Sequence, residues 1–305
     1  MSAEPVTAKP IIRWVGGKTQ LLPHLVPLAT AHPIRHYVEP FAGGAALFFK
    51  LASMSPRPFQ RATIGDINPE LVAMYRALRD DVDGLVKLLR GYTYDADEYR
   101  RMGKLETCRL SDTERGARLI FLMKTGFNGL YRVNRQGQYN VAFGSFKTPP
   151  TICDEPALRA ASAALQGVEI THGSFGALVR EVGPGDLVYF DPPYLPASDT
   201  ANFTAYAREG FGPEDQERLA TLACGMRARV MLSNADSPEA RSLYQGLTIH
   251  GVSARRAVNC DAKKRGPVGE IIVTNWDDRG EARPVKRAPR AGAQVGFGWS
   301  KSEVA

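Results

Sequence analysis

Polar and apolar positions along the chain fall into two alternating textures. Short runs of strand length, rich in β-branched and aromatic residues, recur at His36–Phe41, Ala62–Ile67, Val168–Phe175, Asp186–Asp191, Arg229–Asn234, Leu247–Val252 and Glu270–Asn275. Between them lie stretches with helical spacing: Thr19–Leu28, Leu47–Leu51, Pro69–Leu78 and Pro213–Arg227. Strands alternating with helices predict an α/β sheet. From Leu78 to Pro150 the texture changes. Helices are predicted over Val82–Leu89, Ala96–Leu105 and Thr113–Lys124, the last behind a capping box at Ser111–Glu114. Phe127–Val141 then reads as a hairpin with its turn at Arg135–Gln138. The expected organisation is a sheet domain in two parts, 11–78 and 151–276, an insert at 79–150, and a basic tail at 277–305. The tail is rich in Pro, Gly, Ala and Arg, which predicts disorder.

The stretch with the most chemistry is Asp191-Pro192-Pro193-Tyr194, where the strand run Leu187–Phe190 stops. Proline has a fixed φ and no N–H, so the pair ends a ladder and stiffens the backbone. What remains is a carboxylate and a proline carbonyl, both acceptors, beside a ring with two flat faces. A flat group with an amino edge fits such a turn: adenine, cytosine or an amide. The bland alternative is a Pro-rich turn with Asp191 as a cap.

Two further turns face the same kind of ligand. Glu39-Pro40-Phe41-Ala42-Gly43-Gly44 joins a strand to a helix, the place where small residues let a nucleoside lie against the backbone. The GxGxxG fingerprint is absent, which disfavours NAD. Asp66, about 20 residues on at the end of the next strand, is placed for ribose hydroxyls. It competes with a helix-cap role, for which Asn68 before Pro69 is better suited. Upstream, Gly16-Gly17-Lys18 opens a helical stretch, so backbone N–H groups and the Lys18 charge can approach an anion. Trp14 either stacks on a purine, faces a cation or fills the core beside that turn.

Charge then locates the partner. The net charge of +7 favours a polyanion. Residues 279–305 hold six Lys or Arg against two Glu, so the rest of the chain is only mildly basic and a nucleic-acid surface must be local. Phe127–Val141 mixes aromatics, amides and Arg, and 127–150 holds no acid. These are side chains that read base edges, although a polar surface hairpin has the same composition. Arg255–Pro267, with Lys263, Lys264 and Arg265, suits backbone phosphates or is a solvated loop. Leu195–Pro213 is a lid or simply a loop. Cys108, Cys153, Cys224 and Cys260 form no CxxC, and the five His have no ligand-like pairing, so neither disulfides nor a metal is expected. No apolar run reaches the ~18 residues of a membrane span. A cytoplasmic, nucleoid-associated monomer, at most transiently dimeric, is expected.

Together these pieces resemble the DNA adenine methylase (Dam) family of N6-adenine methyltransferases. The likeness covers roughly residues 11–276 in family order: RWVGGK, EPFAGGAALFF, IGDIN, FNGLYRVN with YNVAFG, DPPY, LSN and EIIVTN. FNGLYRVN is the most specific, being the piece with which the family touches DNA. The resemblance implies a Rossmann-like S-adenosylmethionine-dependent methyltransferase sheet, seven-stranded and mostly parallel with one antiparallel strand. The insert becomes a helical and hairpin target-recognition domain. By the same resemblance Trp14, Gly16, Gly17, Lys18, Glu39, Phe41, Gly43, Gly44, Asp66 and Asp191 line the S-adenosylmethionine site. Asp191, Pro192, Pro193 and Tyr194 hold the target adenine. Arg13, Asn128, Leu130, Arg132 and Asn134 face double-stranded DNA, with GATC the leading sequence. Two departures stand out. Arg13 replaces a Lys common in the family, and Ala45 a common Gly, a change expected to be tolerated at a helix start. The alternatives are N6-adenine methylation of RNA, N4-cytosine methylation, and a non-catalytic DNA-binding regulator with a vestigial pocket.

Overall fold

The computed structural model describes residues 7–194, 211–255 and 267–285. All seven expected strands are present: β1 (Ile34–Glu39), β2 (Phe59–Asp66), β3 (Glu169–His172), β4 (Leu187–Phe190), β5 (Arg229–Ala235), β6 (Thr248–Arg255) and β7 (Pro267–Thr274). They form one sheet in the order β3-β2-β1-β4-β5-β7-β6. Pairing is parallel from β3 to β5, while β7 runs antiparallel to both β5 and β6. The sheet is thus mostly parallel with one reversed strand, as the resemblance implied. The chain builds outward from β1 to β2 and β3, then returns to lay β4 against the other side of β1. The switch point between β1 and β4 is where an open α/β sheet leaves a crevice at the carboxyl ends of its strands.

Both faces of the central strands are buried. Tyr37 and Tyr189 enter one core, while Val38, Val188 and Phe190 enter the other. That is why these strands read as nearly continuous apolar runs. The described helices are α1 (Leu22–Thr30), α2 (Ala46–Ala52), α3 (Pro69–Asp80), α4 (Val82–Gly91), α5 (Ala96–Gly103), α6 (Asp112–Thr125), α7 (Glu155–Leu165), α8 (Phe175–Leu178), α9 (Pro213–Gly225) and α10 (Pro238–Leu243). Helices α7, α8 and α10 lie outside the stretches expected to be helical. For α7 the signal was there: Asp154 accepts from Ala157 N as N-cap, Pro156 sits in the first turn, and Leu158, Ala161 and Leu165 follow at helical spacing. The strand run expected to reach Phe175 stops at His172, because Ser174 caps α8 instead.

Helix α6 packs against two hydrophobic clusters at once. Its Ser111–Glu114 capping box is formed in both directions, a motif that contributes on the order of 1 kcal/mol. Leu119, Ile120 and Met123 join the first sheet core, together with Leu85, Val86 and Leu89 of α4. Phe121 and Leu122 point into a separate cluster with Tyr99 and Met102 of α5 and Tyr139 of the hairpin. Arg118 is buried and donates to the Met102 and Gly103 carbonyls at the end of α5, where carbonyls lack helical partners and favour a cation. The hairpin is minimal, with single bridges at Gly126–Phe143 and Val133–Tyr139. Its turn begins one residue before the expected one, at Asn134, whose Oδ1 accepts from Gln136 N and Gln138 N.

The chain beyond Trp276, expected to be disordered, is held at its start. Arg283 N donates to Asn275 O and Val285 N to Cys224 O. Residues 286–305 lie outside the described residues, as do residues 195–210 of the proposed lid and the basic residues Lys263, Lys264 and Arg265. No helix among the described residues is long and apolar enough to cross a membrane, and no cluster of His, Cys, Asp or Glu there could hold a metal ion.

Candidate active site

The Asp191–Tyr194 turn leaves β4 at the switch point and is tied down by side chains from three other elements. Ser233, buried at the end of β5, donates to Asp191 Oδ1 at 2.7 Å and meets the Tyr189 hydroxyl at 3.1 Å. Gln216 of α9 donates to the Pro193 carbonyl at 2.6 Å, and Asn234 reaches the Gln216 amide at 3.4 Å. The Tyr194 hydroxyl donates to Glu270 Oε2 at 2.7 Å. Glu270 arrives there because β7 is reversed: its first residues lie at the same edge as the last residues of β5, with Glu270 opposite Ala235.

Lys18 reaches this turn from the other side of the crevice. Its ammonium lies 2.8 Å from Asp191 Oδ1 and 4.5 Å from the centre of the Tyr194 ring, and it also donates to the Gly16 carbonyl. The anion that the Gly16-Gly17-Lys18 segment meets is therefore the protein's own carboxylate. A 3₁₀ turn, Thr19–Leu21, separates the glycines from α1, so the helix does not open directly on them. Burial raises the Asp191 carboxyl above its ordinary range, and Lys18 and Ser233 oppose the rise.

The small-residue turn after β1 forms the second wall. Gly43 has φ +46°, and a Cβ there would lie 2.8 Å from Trp14 Cδ1, so no larger residue fits. Trp14 is half-buried against this turn, with its ring 5.3 Å from that of Tyr131. Ala45 has φ +50° and is the N-cap of α2. The expectation that Ala is at ease here as part of a helix start needs correction: the position is left-handed, which favours Gly and costs an Ala roughly 1–2 kcal/mol.

Asp66 closes the crevice at the end of β2. Its carboxylate accepts from Gly43 N at 3.0 Å and from Asn68 N at 2.9 Å, so it holds the glycine turn to the strand end. Asn68 caps α3 by accepting from Glu70 N, which leaves Asp66 out of the cap. Burial pushes the Asp66 carboxyl up to about 6, against the pull of those two N–H groups. Ile67 beside it is 64% exposed, an apolar surface at the mouth of the crevice that sequence reading did not single out. Phe41 is stacked on Phe175 at 5.5 Å and meets Phe190 and Phe211 edge-on.

Glu39 is buried at the end of β1 and accepts from the Tyr37 hydroxyl at 2.8 Å. Burial pushes its carboxyl up to about 8, with nearby Asp191 adding to the rise. A folded-state value above the unfolded one means that the native state binds the extra proton. Its contribution to stability is then complete below about pH 4.5 and is lost as pH rises through about 8. Glu39→Gln should remove that decline, so urea unfolding of the variant should vary less between pH 5 and pH 8 by about 1 kcal/mol per pH unit. Parallel profiles for the two proteins would show Glu39 ionised in the fold.

The hairpin and the start of the chain meet at this mouth. A Cβ on Gly129 would lie 3.7 Å from Arg13 Cβ, and Tyr131 contacts Trp14. Asn128 adopts φ +55° and is exposed, as are Arg13 and Phe127, while Leu130 is half-buried. Arg132 is exposed and donates through Nε and Nη2 to the Asn140 carbonyl, at 2.8 and 2.6 Å. Asn134 is engaged in the turn and also donates to the Gln138 amide oxygen. Gln216 and Glu270 were missed as site residues. Nothing in the local pattern around Gln216 marks it, whereas Glu270 opens the EIIVTN piece of the resemblance without having been given a role.

Residues 14–258 match the family model of the D12 class N6 adenine-specific DNA methyltransferases. A "Type II methyltransferase M1.LlaDCHI" of Lactococcus lactis subsp. cremoris is 40% identical, over 89% of this chain and 96% of that protein. A "Type II methyltransferase M.MjaIII" of Methanocaldococcus jannaschii is 36% identical over 88% and 99%. The DNA adenine methylase of Escherichia coli K12 is 30% identical over 86% and 93%.

Proposed function

Because the chain belongs to the D12 class N6 adenine-specific DNA methyltransferases, we propose that it takes the methyl group from S-adenosylmethionine and places it on N6 of an adenine flipped out of a short duplex sequence, GATC. The observation that carries this reading is the convergence on one crevice of the Asp191–Tyr194 turn, Lys18, the glycine turn and Asp66.

The residues present fit the cofactor. Trp14 packs where a Gly43 side chain would project, so the glycine turn and the indole form one wall for a nucleoside, and Asp66 is a carboxylate at the place where ribose hydroxyls donate. Exposed Ile67 offers an apolar face for the adenine ring. When bound, S-adenosylmethionine supplies an electrophilic methyl group on a sulfonium. The protein's own part is to orient the amine. That nitrogen is a poor nucleophile because its lone pair is delocalised into the ring. The Pro193 carbonyl is engaged by Gln216, so the clamp falls to Asp191 and the Pro192 carbonyl, each accepting one amine hydrogen. Both are fixed before the base arrives, so little reorganisation is needed. Tyr194 stacks on the base and sets its angle, and positioning of this kind supplies much of the rate. Asp191, lifted by burial, can take the proton that the amine sheds. Flipping costs a few kcal/mol, which contacts from the recognition insert offset.

Sequence choice is assigned to the hairpin, with Arg132 reading a guanine. Its Nε–Nη2 edge rests on Asn140 O, and the Nη1–Nη2 edge is the one that can address guanine O6 and N7 as a fork. Arg132→Ala should lose about 1–3 kcal/mol of discrimination at one base pair. The check is methylation of a GATC duplex, its single-base variants and the matching RNA by both proteins. An even loss on all duplexes would make Arg132 a phosphate anchor. A wild-type preference for another sequence or for RNA would overturn the substrate.

A further inference from the structure

The Tyr194 ring is the surface on which, under the reading above, the target base stacks, and its hydroxyl is held from outside the motif by a carboxylate on another strand. The geometry points to Glu270 as a positioning residue for the target base, acting through Tyr194. The contact is direct, with the phenol donating to Glu270 Oε2 at 2.7 Å, in the range of strong charge-assisted hydrogen bonds. It spans 76 positions of sequence and exists because the reversed β7 brings its first residues to the carboxyl edge of the sheet.

The anchor constrains the ring in two ways. Holding the oxygen fixes the direction of the ring's long axis. A phenol O–H also prefers the plane of its own ring, because the oxygen lone pair conjugates with it. Aiming that O–H at one carboxylate oxygen therefore sets the ring plane as well. Lys18 already lies over one ring face, 4.5 Å from its centre, so the ring is defined at its end and on its face. Glu270 itself sits beside the base pocket and acts through the tyrosine alone.

The test is a double-mutant cycle with Tyr194→Phe, Glu270→Ala and the pair, plus Glu270→Gln. It uses the full chain and a duplex carrying the sequence that the wild-type protein methylates. Each single change should lower kcat at least tenfold, with the affinity for S-adenosylmethionine measured by calorimetry unchanged. The pair should be no worse than either alone, and Glu270→Gln, whose amide oxygen still accepts, should recover most of the rate. With 2-aminopurine at the target position, both single variants should give brighter fluorescence than wild type, because the flipped base is less well stacked on the ring. Additive losses, an unaffected Glu270→Ala, or a Glu270→Gln as slow as Glu270→Ala would overturn the assignment while leaving the methyltransferase reading intact. A wild-type protein that methylates no adenine in any duplex would remove both.

Discussion

Asp191→Ala is expected to fold, to bind S-adenosylmethionine, and to transfer methyl groups at no more than about a thousandth of the wild-type rate. Losing one fixed partner of the reacting group costs about 100- to 1,000-fold in comparable sites, and here the loss is compounded. The alanine removes one of two acceptors for the amine and the group placed to take its proton. It also leaves Lys18, which is 7% exposed, without the carboxylate 2.8 Å away. An unpaired buried cation is costly, so some of the effect will fall on stability. Asp191→Asn separates the two. It keeps an oxygen for Ser233 or the amine but has no charge for Lys18 and no site for a proton. Single-turnover rates on a methylatable duplex, with thermal melting of both variants, measure the effect. A folded Asp191→Ala protein with a tenth of the wild-type rate would mean that the turn positions the base without the carboxylate.

The second large effect is expected at Asp66, on the cofactor. Asp66→Ala should weaken S-adenosylmethionine binding by about 10- to 150-fold, the value of one or two hydrogen bonds to a charged acceptor, about 1.5–3 kcal/mol. The same change frees Gly43 N and Asn68 N, so melting should fall too. Binding carries a pH signature that packing would not. The Asp66 carboxyl sits near 6 in the folded protein, and hydroxyl donors favour its ionised form. Affinity should therefore be full above about pH 7 and weaken as pH falls through about 6. Asp66→Asn should flatten that profile. Calorimetry at pH 5.5 and pH 7.5 tests both points. Unchanged affinity with lowered melting would leave Asp66 only its role in holding the glycine turn.

How much could be read beforehand differs from element to element. The central strands were legible because they are buried on both faces, so strand-length apolar runs such as Leu187–Phe190 survive any local noise. The short turns after β1, β2 and β4 were legible because proline, glycine and a lone carboxylate each have few structural uses at a strand end. Helix α7 was missed although its cap and spacing are ordinary, since alanine-rich faces give weak contrast. Asn134 looked like a base reader, and its amide oxygen accepts from two N–H groups of its own turn. That distinction depends on which N–H groups come within reach. Ala45 was expected to be tolerated at a helix start and is left-handed, a property of the backbone path that composition does not carry. Gln216 and Glu270 are the instructive cases. Each lies on an element remote in sequence, 23 and 76 positions from its partner, and only the order and direction of the strands bring them together.

The most direct test of the account is the identity and position of the product. The protein would be expressed in a host that lacks DNA methylation, and the genomic DNA digested to nucleosides and also mapped base by base. The account predicts N6-methyladenine as the new nucleoside, confined to adenines of one short sequence, GATC, and absent from the Asp191→Ala strain. N4-methylcytosine, or no modified base in DNA from cells holding folded wild-type protein, would contradict it.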